Sequence, residues 1–192
     1  MTTTLPTLRP LDAQSPAALA SAPIAAVQRQ LGFAPTVYLA MGQQPALLEA
    51  YRAAYDQFRQ HGGFDALDQE LLLLTVSRFH DCSYCVAAHS MVADRMAGMP
   101  ADWLAALREG RPVPDARRAA LQAFAQALLR DRGWVDPGAL AAFLAAGYEE
   151  RQVLGVILAI AVKTMSNYTN HAFGLQPDPA FQAYALPPQK AA

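Results

Sequence analysis

The sequence predicts an all-α protein, and three observations lead there. No stretch alternates apolar and polar residues for long enough to make a strand. Ala, Leu, Gln, Glu and Arg fill the interiors of the periodic segments, and all of them favour helix. Pro, Ser and Asp recur where these segments begin and Gly where they end, which is the punctuation of helices.

The elements follow in order. Ser15-Pro16 opens a first helix, and Pro23 opens a second that runs to Leu31 and stops at Gly32. A short apolar segment follows Pro35. Pro45 then opens a helix over Ala46–Gln60, with Leu47, Leu48, Tyr51, Tyr55 and Phe58 at helical spacing and Gly62-Gly63 as its end. Asp65 or Asp68 caps the next, which carries Leu71-Leu72-Leu73-Leu74 to about Phe79. After a break at His80-Asp81, where Asp81 reads as an N-cap, a helix runs from Cys82 to Ala97 before Gly98. Ala101–Arg108, Asp115–Arg132, Pro137–Ala146 and Glu149–Asn170 complete the set. Pro177, Pro179, Pro187 and Pro188 predict an extended or irregular tail. The whole is read as one domain over 1–192, with irregular ends at about 1–15 and 175–192.

Composition narrows the function classes. Hydrophobic residues make up 53% of the 192 and charged residues 16%, which excludes a disordered chain. A formal net charge of -1 offers no basic excess to neutralise the phosphates of a nucleic acid. The high apolar share points to helix faces buried against other subunits. The start, Met1-Thr2-Thr3-Thr4-Leu5-Pro6, lacks the basic and apolar regions of an export signal. The longest apolar run, Val153 to Val162, is shorter than the roughly 20 residues a bilayer needs, so it reads as a buried helix. A cytoplasmic protein is expected.

The chain has two cysteines, in Cys82-Ser83-Tyr84-Cys85. A pair three residues apart closes too small a loop to be a useful staple, so redox chemistry or metal binding is the better reading. On a helix, Cys82, Cys85 and His89 share one stripe. The first turn's free N–H groups and positive dipole end favour thiolate over thiol, and His89 is placed to act as a base. Glu70, on the preceding helix, reaches the same site if the His80-Asp81 turn folds the two helices together. A zinc site built from Cys82, Cys85, His89 and His171 is the weaker alternative, because three ligands on one stripe make a poor tetrahedron. Thioredoxin chemistry is excluded, since no βαβ pattern surrounds the motif. Aligning His89 with His171 sets Glu70 against Gln152, Cys82 against Thr164 and Cys85 against Asn167, an echo that would fit two related helical hairpins.

The pattern E-x11-C-x2-C-x3-H, spelled by Glu70, Cys82, Cys85 and His89, resembles the core of the AhpD-like alkylhydroperoxidases of the carboxymuconolactone decarboxylase superfamily. Gly32-Phe33-Ala34-Pro35, Gln44-Pro45-Ala46-Leu47-Leu48 and the stretch from Asn170-His171 to Pro179-Ala180-Phe181 resemble that family's flanks, and the peroxidase-related branch is the most similar. The resemblance implies an all-α AhpD-like fold that assembles as a homo-oligomer, a trimer or hexamer. It also implies reduction of hydroperoxides by the cysteine pair, with no bound cofactor and no metal. Cys85 would be the peroxidatic thiolate and Cys82 the resolving thiol, with Glu70 and His89 relaying protons. An external dithiol, by analogy dihydrolipoamide on a carrier protein, would regenerate the pair. One position departs: Tyr84 stands where the best-studied members have His, and a phenol with a pKa near ~10 cannot serve as a base at neutral pH. The rival readings are a decarboxylase-like lyase, which does not need a CxxC, and a non-enzymatic redox sensor.

The remaining chemistry-bearing residues have simpler readings. Trp103, Trp134 and the other aromatics read as core or subunit contacts, Arg117-Arg118 as a solvated face, and His171 as a structural hydrogen-bonding group.

Overall fold

A computed structural model describes residues 5–187; the extremities of both expected tails, 1–4 and 188–192, including Pro188, lie outside it. Among the described residues there are ten α-helices and no strand: α1 Pro16–Leu19, α2 Ala22–Leu31, α3 Thr36–Met41, α4 Pro45–His61, α5 Ala66–Phe79, α6 Ser83–Arg95, α7 Ala101–Glu109, α8 Ala116–Arg130, α9 Pro137–Ala145 and α10 Glu150–Phe173. The caps explain most boundaries. Asp65, Asp115 and Asp136 each accept backbone N–H bonds at the start of α5, α8 and α9. Glu149 and Gln152 form a reciprocal capping box that starts α10.

α5 is the centre of the molecule. Its Leu71, Leu72, Leu73, Leu74, Val76 and Ser77 are all fully buried, as expected for a helix that is apolar on every side. α6, α8 and α10 pack around it, and α10 also crosses α4. One apolar cluster joins α5 to α8 and α9, where Phe143 stacks between Phe124 at 4.3 Å and Tyr148 at 4.8 Å. A second joins α2, α3 and α4 to the start of α6, and both cysteines belong to it. Gly155 lets α10 approach closely: a Cβ there would stand 2.3 Å from the carbonyl oxygen of Gly62.

Several sequence expectations need correction. Asp81 is not an N-cap: its backbone is left-handed (φ 53°), and Cys82 itself caps α6. The proline-rich tail is not wholly irregular, because Pro179–Tyr184 forms a 3-10 helix docked on α6, with Phe181 buried against Tyr84. Trp134 is 86% exposed and is no core residue. Arg117 is exposed, as a solvated face requires, but Arg118 is half-buried, both pair with the buried Asp68, and Arg117 lies over the Tyr148 ring. The echoed hairpins are not alike: Glu70 and His89 sit on two helices, whereas Gln152 and His171 lie on the single unbroken α10.

Candidate active site

The site is assembled where α5, α6 and α10 meet. The left-handed turn at Asp81 folds α6 back on α5, and it is held by the Cys82 N–H to the Ser77 carbonyl (2.9 Å) and by His80 Nδ1 with Asn167 Oδ1 (3.0 Å). The fold-back that the sequence required of Glu70 is therefore present. His89 Nδ1 lies 2.9 Å from Glu70 Oε2, and Arg59 of α4 donates to Oε1. Arg59 in turn bonds Tyr55 Oη (2.6 Å) and Gln69 Oε1 (3.0 Å).

Burial and charge set the protonation states. Burial pushes the Glu70 carboxyl up, but the adjacent His89 and Arg59 outweigh it and hold the group below its usual range. Burial lowers His89, and Lys163 and Arg59 lower it further against the pull of Glu70. The arrangement at neutral pH is thus a carboxylate accepting from a neutral imidazole's Nδ1–H, with Nε2 left as a lone pair.

The two thiols are free and differ sharply in surroundings. Cys85 is 3% exposed and lines a cavity of about 250 Å³ together with Glu70, His89, Lys163 and Ser166; Cys82, 1% exposed, is not part of that lining. Asn170 Nδ2 donates to both sulfurs, at 3.1 Å to Cys85 and 3.6 Å to Cys82, and the Cys85 thiol reaches Ser166 Oγ at 3.8 Å. Burial alone would raise the Cys85 thiol, but a hydrogen bond from Cys82 and the Lys163 ammonium hold it well below the ordinary thiol range. Cys82 is pushed up, first by its hydrogen bond to Cys85 and then by burial. These surroundings favour the thiolate at Cys85, facing the cavity, over Cys82 behind it.

Tyr84 does not face this chemistry as a base. Its hydroxyl donates to the buried Asp178 and lies 3.4 Å from the Val37 N, and Asp178 also accepts from the Thr36 N–H at 3.0 Å. Burial first, and then Asp178, keep the phenol protonated. The residue ties α6 to α3 and to the 3-10 helix. His171 is exposed and stacks on Tyr168, neither lining the cavity nor joining the thiols. Among the described residues no group of three or more His, Cys, Asp and Glu side chains could hold a metal ion.

Sequence reasoning missed Arg59, Lys163, Ser166 and Asn170. A signal existed on α10: Lys163, Ser166 and Asn170 stand at i, i+3 and i+7, a polar stripe just after the apolar run, and Lys163 is one of only two lysines in the chain.

The fold has recognisable relatives. The carboxymuconolactone decarboxylase family model matches residues 45–129, from the start of α4 almost to the end of α8. Among solved structures, a peroxidase-related protein from Silicibacter sp. TM1040 is 21% identical, with a TM-score of 0.76 over 94% of each chain. An AhpD-core peroxidase-related protein from Ralstonia eutropha JMP134 is 23% identical, with a TM-score of 0.73 over 82% of this chain and 84% of its own. The debrominase Bmp8, in a Cys-to-Ala variant bound to 2,3,4-tribromopyrrole, is 21% identical, with a TM-score of 0.78 over 93% and 95%. No curated protein matches. The class is an all-α AhpD-like protein. Residues 45–129 thus match the carboxymuconolactone decarboxylase family model, and the chain as a whole shares the AhpD-like fold of these structures.

Proposed function

We propose that this protein is an enzyme of the AhpD-like, carboxymuconolactone decarboxylase superfamily, a thiol-dependent peroxidase that reduces organic hydroperoxides through a Cys82–Cys85 disulfide cycle. The observation that carries the reading is the asymmetry of the pair: Cys85 lines a cavity beside His89, while Cys82 lies behind it on the same Asn170 amide.

The Cys85 thiolate attacks the hydroxyl oxygen of the hydroperoxide. The S–O bond forms as the O–O bond breaks, and the departing alkoxide is protonated from solvent by way of His89, whose imidazolium Glu70 stabilises. The Cys82 thiol then displaces water from the Cys85 sulfenic acid and closes the disulfide. An external dithiol, of the dihydrolipoamide kind, exchanges with the disulfide and leaves oxidised. The sum is ROOH + R′(SH)2 → ROH + H2O + R′S2.

No described helix is long and apolar enough to cross a membrane. A homo-oligomer is supported by an exposed seam on α10, where Leu154, Ile157, Ala161 and Tyr168 recur at coiled-coil spacing.

The test is peroxide consumption with thiol counting. Reduced protein should consume one equivalent of cumene hydroperoxide and lose both thiols, and Cys82→Ser should stop at a sulfenic acid that dimedone traps. Untouched peroxide with both thiols still free defeats the reading. Reversible oxidation without turnover under a dithiol would mark a sensor instead.

The likeness to a debrominase, together with the aromatic cavity wall of Tyr38, Tyr51, Tyr55 and Phe181, favours one second reading, reductive dehalogenation. Cys85 would take the halogen, the ring carbon would take a proton, and Cys82 would expel halide as the disulfide closes. Halide release from a bromopyrrole with no reaction toward peroxide would select it. A decarboxylase-like lyase would keep its activity in the Cys82→Ser/Cys85→Ser double variant.

A further inference from the structure

We propose that Lys163 is the counter-ion of the Cys85 thiolate and a catalytic residue of this site, supplying a fixed positive charge from α10.

Lys163 is 1% exposed and sits in the middle of a helix, in the wall of the cavity that Cys85 faces. A buried ammonium is strongly disfavoured without an anion. Seven ionisable groups converge here. Glu70 of α5 has both oxygens occupied, by Arg59 of α4 and His89 of α6. His89 is neutral, Tyr51 of α4 is pushed well above its usual range by burial, and Cys82 is held as a thiol. Arg59 already has its carboxylate. That leaves one cation, Lys163, and one acidic group without a counter-charge, Cys85, and both line the same cavity. Two turns further along the same face, the Asn170 amide donates to Cys85 at 3.1 Å, so a single face of α10 lines the sulfur.

The role extends through the first chemical step. As the S–O bond forms and the O–O bond breaks, the negative charge passes from Sγ to the departing oxygen, and the ammonium lies against the same cavity that holds that oxygen. A buried cation fixed on a helix needs no reorganisation to follow it.

This inference rests on the dithiol reading above, but its test needs no peroxide. In a Cys82→Ser background, the ultraviolet absorbance of the Cys85 thiolate and its alkylation by iodoacetamide are followed against pH. With Lys163 present, thiolate should persist at about pH 6, where an ordinary thiol is almost fully protonated. In Lys163→Met, whose side chain fills the lysine stem's space, alkylation at about pH 6 should fall at least ~10-fold, and Lys163→Arg should restore part of it. Superimposable profiles for the parent and Lys163→Met overturn the proposal. So does an ordinary thiol profile in the parent, a result that needs no variant at position 163. A peroxidase assay that fails while these shifts appear would sink the proposed reaction and leave Lys163 as the thiolate's counter-ion.

Discussion

His89 Nδ1 meets Glu70 Oε2 at 2.9 Å across the α5–α6 hairpin, and this contact orients the imidazole so that its other nitrogen is a lone pair. Glu70→Gln keeps the shape but removes the charge that stabilises an imidazolium. Peroxidase kcat/KM should drop by about 10²-fold, at the lower end of what general acid–base groups contribute. Stopped-flow measurement with an organic hydroperoxide checks it, and an unchanged rate would remove Glu70 from the relay.

Acid should weaken this protein from near neutrality downward. The folded state holds His89 below its ordinary value and Glu70 below its own, so the unfolded chain binds more protons over both intervals. Stability from His89 is fully present above roughly pH 6.5 and is lost as pH falls through its folded value; Glu70 adds a second loss below roughly 4.3. Thermal melts between neutral and acidic pH should show Tm falling in that order. His89→Asn should flatten the first part of the fall, and a curve of unaltered slope would contradict the assignment.

Tyr84→Phe separates structure from chemistry. It deletes the hydroxyl that bonds Asp178 and leaves the ring against Phe181. Losing a hydrogen bond to a charged group should cost about 1.5–3 kcal/mol, read from urea unfolding. The Cys85 thiolate titration should not move; a shift would give Tyr84 a part in activating the thiol.

Gly155→Ala sets two effects of known size against each other. Helix propensity favours alanine by about 1 kcal/mol. The new Cβ, however, would press on backbone, 2.3 Å from Gly62 O, and on the Phe64 ring at 2.8 Å, and overpacking of this kind costs about 1–3 kcal/mol. Backbone cannot rotate away as a side chain can, so net destabilisation is expected in chemical denaturation, and a stabilised variant would show that α10 shifts freely.

Much of the fold was legible because its signals are local. Asp65, Asp115, Pro45 and Gly62-Gly63 mark helix ends through bonds made within a few residues, and their positions held. Asp81 misled because an Asp before a helix is usually its cap, while the hairpin demands a left-handed residue there. At the site, Glu70, Cys82, Cys85 and His89 fall within one short stretch of sequence, so spacing could pair them. Lys163, Asn170 and Asp178 come from 78 to 94 residues beyond the residues they serve, and only the packing of α10 and the 3-10 helix delivers them. The prolines of the tail, read as helix-breaking, are compatible with the 3-10 turn that places Phe181.

Only Cys85 of the pair looks out on the cavity, and that has a kinetic meaning. Oxidant and reductant must reach the same sulfur through the same mouth, so they take turns rather than bind together. In the proposed cycle the protein alternates between two stable forms, and double-reciprocal plots at several reductant concentrations should run parallel. High concentrations of one co-substrate should then slow the other by competing for that cavity.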